Sequence, residues 1–165
     1  MDAYRPDAWG AAFTTIAGSA AALTGLLFVA ISINLTPILK VEGLVNRALE
    51  VLIILVAVLA VSTLQLMPAQ GAGTAGGEIL ATGAGLVFVL GYIHVRAPRH
   101  ALGVSRTSFG MRVFFDQLGP VALVIGGISL MAQNGGGLYL VVPGLVAAMV
   151  AAIAGAWVLL VEILR

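Results

Sequence analysis

The chain contains no cysteine. That excludes disulfides, thiolate metal sites and a cysteine nucleophile. Charge is also scarce: Asp, Glu, Lys and Arg together make up 9% of the 165 residues. An ordinary soluble domain carries about 25%, so a soluble fold here would lack the polar groups to cover its own surface. The net charge of +1 creates no field that would gather nucleic acid, and none is expected as a partner. Catalytic signatures are missing too. There is no H-E-x-x-H, no G-x-S-x-G and no P-loop lysine. The expectation is a protein that is not an enzyme and carries no cofactor.

What the chain has in quantity is apolar surface. Apolar residues make 61% of it, and its mean hydropathy is +1.11. Lipid is the solvent that fits such a composition. Five apolar segments follow, at about Trp9–Leu39, Arg47–Met67, Glu78–Val95, Met111–Ala132 and Leu138–Leu164. Each reaches the roughly 17–25 residues that a helix needs to cross the hydrocarbon. All are apolar on every side, whereas barrel strands alternate over about ten residues. The fold class predicted is all-α: a polytopic integral membrane protein with five transmembrane helices, forming one domain over residues 1–165. The start, MDAYRPDAWG, lacks the basic region of a secretory signal and reads as the lead into a retained first span.

Punctuation marks the ends. Pro37 and Lys40 close the first span and Pro68 the second, and AQGAGTAGG reads as a flexible turn. QNGGG reads as a tight turn between the last two spans. Pro120 and Pro143 fall inside helices, where each removes a backbone donor. The first span, as one helix, would run about 45 Å against a core of about 30 Å. It must tilt, kink or project, and projection is expected on the Pro37 side. With five spans, Lys40, Arg47, Arg96, Arg99, Arg106, Arg112 and Arg165 share one side, leaving Arg5 on the other. The positive-inside rule then puts the N-terminus outside and the C-terminus in the cytoplasm. The location predicted is the bacterial cytoplasmic (inner) membrane, with membrane lipids as the first partners.

Ionisable residues within membrane helices default to functional hypotheses. Glu50 stands three residues from Arg47, Asp116 four from Arg112, and Glu162 three from Arg165. All sit in one inner-interface layer, each with a basic residue on its own helix face. Two readings stay open: ion pairs that fix helix depth, or an acidic vestibule that attracts cations. Glu78 is read as a charge at a helix start on the outer side. His94 is a single haem-ligand candidate where two are needed; it fits a headgroup-facing basic cluster with Arg96, Arg99 and Arg106. Asn34-Leu35-Thr36 matches a glycosylation pattern by chance, since it falls on the cytoplasmic side.

Small residues form the clearest pattern. Thr14, Gly18, Ala21, Gly25 and Ser32 fall at steps that keep one face of the first helix, near Asn34 at its end. On the last, Gly144, Ala148, Ala152 and Ala156 form one row, and Ala147, Ala151 and Gly155 a second. Such rows let helix backbones approach closely. More of this surface exists than five helices use internally, so a homo-oligomer is expected.

The stretches AGSAAALTGLLFVAISINLTPIL, NRALEVLIILV and LQLMPAQ resemble a family of small uncharacterised bacterial multi-span membrane proteins. The resemblance covers roughly the first seventy residues. It implies Gly18, Thr24, Gly25, Asn34, Arg47 and Glu50 as signature positions and supplies no catalytic role for them. Two functions therefore stand as expectations. One is an oligomeric channel or pore-like transport protein for small cations, with the first helix packing or facing the pore. The other is a non-catalytic structural or regulatory subunit that docks on a larger membrane complex.

Overall fold

The computed structural model describes residues 2–41, 43–96 and 106–163, with side chains from 109 to 161 in the last stretch. Two short 3₁₀ turns, Asp2–Tyr4 and Pro6–Trp9, lead into α1 (Gly10–Ile33). Then follow α2 (Leu35–Lys40), α3 (Leu44–Leu64), α4 (Ala72–Arg96), α5 (Arg106–Ala132) and α6 (Leu138–Ile163). Among the described residues every element is helical. Five helices are long and apolar enough to cross a membrane.

The expected first span is two helices. Pro37 has no N–H to give the carbonyl of Ile33, and its ring crowds that carbonyl. The chain breaks at Asn34, whose φ of −105° and ψ of 20° leave the helical region. Asn34 softens the break by donating from its side-chain amide to the Ala30 carbonyl at 2.8 Å.

The third span starts earlier than expected. Ala72–Gly77, read from sequence as a flexible turn, already belongs to α4. Two of its glycines, Gly76 and Gly83, serve close approach to α5. A Cβ on Gly76 would lie 2.8 Å from the Gly127 carbonyl oxygen and 2.6 Å from Met131 Cγ. A Cβ on Gly83 would lie 2.9 Å from both Leu123 Cβ and the Val124 nitrogen. The QNGGG turn forms as expected. Gln133, Gly135, Gly136 and Gly137 take positive φ, and Asn134 N–H returns to the Ser129 carbonyl at 3.1 Å.

α3 packs on α4, α4 on α5, α5 on α6 and α6 on α3, which closes a ring of four helices. Buried Ile54, Val58, Leu86, Leu90, Leu123, Leu145 and Leu159 belong to its core. α1 leans on α3 and α6 from outside. It buries only Phe13, Ile16, Ala20 and Leu27, one stripe at steps of three, four and seven. The N-terminal turns anchor the far end. Tyr4 hydroxyl accepts from Gly136 N–H at 3.3 Å, and Trp9 packs edge-on against Tyr139 with centroids 4.8 Å apart.

Candidate functional site: a charged cluster at the head of an apolar cleft

α5 and α6 touch closely only along part of their length. A Cβ on Gly126 would lie 2.6 Å from Val141 Cγ2, one on Gly144 2.8 Å from Ala122 Cβ, and one on Gly119 2.6 Å from Ala148 Cβ. The Gly144–Ala148 row of α6 is thus a close-packing surface, and it is used within the chain. Beyond Gly119 a cleft of about 670 Å³ opens between the N-terminal third of α5 and the second row of α6. Its walls are Met111, Phe115 and Leu118 on one side and Ala147, Val150, Ala151, Ala154 and Val158 on the other. Its floor is α3, with Val51 and Ile54. Pro120 sits where the helices part, and it offers no N–H to the Asp116 carbonyl four residues earlier.

The polar lining of this cleft is Arg47, Glu50, Arg112 and Asp116. Each carboxylate oxygen has a distinct surrounding. Arg112 Nη2 donates to Glu50 Oε2, bridging α5 to α3. Arg112 Nε stands 3.6 Å from Asp116 Oδ2 within α5. Behind them, His94 of α4 puts Nε2 3.3 Å from Asp116 Oδ2 and 3.8 Å from Glu50 Oε1. Glu50 and His94 are buried, with side chains 4% and 5% exposed, and Asp116 reaches 14%. Among the described residues, Glu50 Oε1 and His94 Nδ1 have no hydrogen-bond partner. The polar lining of the cleft carries, among the described residues, two guanidiniums and two carboxylates.

Arg47, Glu50, Arg112 and Asp116, all taken from sequence as one layer, do converge. Their pairing is less local than the sequence suggested: Glu50 takes Arg112 of another helix. The side chain of Glu162 and all of Arg165 lie outside the described residues, as do Arg99 and His100 and the side chain of Arg106. His94 corrects an expectation. It is buried and faces the carboxylates, with Phe109 edge-on at 6.2 Å, instead of facing headgroups. Arg96 does lie exposed, over the Tyr92 ring at 4.6 Å. The signal for His94 was present in spacing. Ile79, Gly83, Leu86, Leu90 and His94 continue one buried stripe at steps of four, three, four and four. Glu78 also differs from a simple helix-start charge: it accepts from the Gln70 side chain at 2.8 Å and from Gln65 at 3.3 Å.

The small face of α1 lies apart from this site. Thr14, Gly18, Ala21, Gly25 and Ser32 are exposed, and Asn34 is half-buried. A Cβ on Gly18 or Gly25 would meet nothing within 4 Å. Thr14 and Ser32 spend their hydroxyls on their own helix, donating to the Gly10 and Phe28 carbonyls at 2.9 and 2.8 Å. No protein-family model, curated protein or solved structure matches the chain.

Proposed function

We propose that the chain is a non-catalytic multi-span protein of the bacterial cytoplasmic membrane that holds a zwitterionic amphiphile in the α5–α6 cleft. The N-terminus is outside and the cleft's charged head lies on the cytoplasmic side. One observation carries the reading: two guanidiniums and two carboxylates line the head of an apolar cleft. The cleft volume of about 670 Å³ falls within the roughly 300–1,000 Å³ usual for small-molecule sites. Apolar walls suit a tail, while Arg47 and Arg112 suit a phosphate and Glu50 and Asp116 an amine. The test is lipid mass spectrometry on protein extracted in small native bilayer discs. Ala154→Trp fills the cleft from an exposed position and is expected to deplete a co-purifying zwitterionic species. An unchanged lipid profile with the variant folded counts against the reading.

Cation passage through an oligomer is the second reading, and the exposed small face of α1 favours it. Passage would have to run between chains, because the ring interior is filled by side chains. Flux into liposomes tests it, and no flux above empty vesicles with insertion verified would sink it. Docking on a larger membrane complex would use the same face of α1. Affinity purification from native membranes that recovers self-oligomers alone would oppose that reading.

A further inference from the structure

Glu50, His94 and Asp116 come from α3, α4 and α5, yet one donor atom from each lies within 4.8 Å of the other two. His94 Nε2 stands between Asp116 Oδ2 at 3.3 Å and Glu50 Oε1 at 3.8 Å. A single N–H hydrogen on Nε2 serves one of these oxygens, and the longer distance is no hydrogen bond. Glu50 Oε1 therefore remains without a hydrogen-bond partner in a buried position. A carboxylate oxygen in that state carries a desolvation penalty that something must offset.

A metal ion serves all three donors at once. Two donors on a tetrahedral ion with bonds of about 2.0–2.1 Å lie about 3.3 Å apart. The His94–Asp116 spacing already meets that; the His94–Glu50 spacing must close by about half an ångström, and the Glu50–Asp116 spacing, which is within 4.8 Å, by up to about 1.5 Å. We infer that Glu50 Oε1, His94 Nε2 and Asp116 Oδ2 form a three-ligand site for a divalent transition-metal ion. One imidazole with two carboxylates suits zinc, manganese or ferrous iron, whereas magnesium and calcium prefer oxygen alone.

Arg112 shapes the site in two opposed ways. It holds Glu50 Oε2 and stands beside Asp116, which orients both carboxylates as outer partners of metal ligands do. Its charge also repels the ion and lowers affinity. Glu50 and Asp116 both line the cleft, so a fourth ligand enters from there. This inference stands on the cluster alone and does not rest on an amphiphile; an ion held by Glu50 and Asp116 takes the place of an amine there.

The test is metal analysis of the tag-free full chain in bilayer discs, using zinc and manganese ions as probes. After equilibration and washing, about one zinc ion per chain is expected, as for a three-ligand site. X-ray absorption at the zinc edge is expected to show one imidazole nitrogen among oxygens. His94→Ala and Glu50→Gln should each weaken binding by about tenfold or more. Wild-type protein, shown to be folded and inserted, that retains neither metal would overturn the site. Zinc retained without imidazole in its absorption spectrum would overturn it equally.

Discussion

At the residue scale the decisive contact is Arg112 on Glu50. Glu50 is 3% exposed, and its charge is held between a guanidinium and an imidazole. Removing one partner of such a pair leaves the other charge buried, which costs about 3–5 kcal/mol. Arg112 is itself a fifth exposed, so the lower end applies. Metal-free Arg112→Gln is expected to lose about 3 kcal/mol in reversible unfolding. The double variant with Glu50→Gln should recover part of it, because Glu50 no longer leaves a bare charge while Asp116 still loses its guanidinium neighbour. A double variant as unstable as the sum of the singles would show that the two residues act independently. Four of the five residues of this cluster were legible in the chain, because Arg47, Glu50, Arg112 and Asp116 lie at helical steps near span ends. The partner choice was not. Which carboxylate Arg112 meets depends on how α5 sits against α3, and no spacing within one helix encodes that.

At the element scale the α4–α5 seam shows what glycine does in this chain. AQGAGTAGG read as a turn because glycine is the commonest turn residue. Yet Gly76 and Gly83, seven apart, lie on one face of α4 and admit the backbone of α5. Composition gave the glycines two roles, and only the position of α5 chooses between them. The same substitution on two faces of α4 separates the roles. Gly83→Ala puts a Cβ 2.9 Å from the backbone nitrogen of Val124, which cannot swing away. It is expected to destabilise by about 1–3 kcal/mol. Gly85→Ala meets nothing within 4 Å and should stabilise by up to about 1 kcal/mol through helix propensity. Unfolding midpoints in one detergent that move in opposite directions support the seam; parallel shifts refute it.

At the scale of the whole molecule, two surfaces compete for meaning: the cleft and the bare face of α1. Membrane orientation bears on both, and the missing cysteine makes it measurable. Single cysteines at Asn134 and Lys40, both exposed at opposite ends, stand on an otherwise thiol-free background. A membrane-impermeant maleimide added to intact spheroplasts is expected to label the first and spare the second. The reverse pattern would invert the positive-inside assignment and move the cluster to the outer side. The α1 face then asks for a partner. Gly18 and Gly25 keep it low, yet no described residue of the chain fills the space above them. Close helix approach is what small residues permit in a membrane. Gly18→Leu and Gly25→Leu should therefore leave unfolding of the single chain unchanged while abolishing self-association in cross-linking and light scattering. An unaltered oligomer would move the interface elsewhere. A wild type that is monomeric in bilayer discs would remove the α1 channel altogether. The cleft, with its walls supplied by one chain, would then be the surface on which function rests.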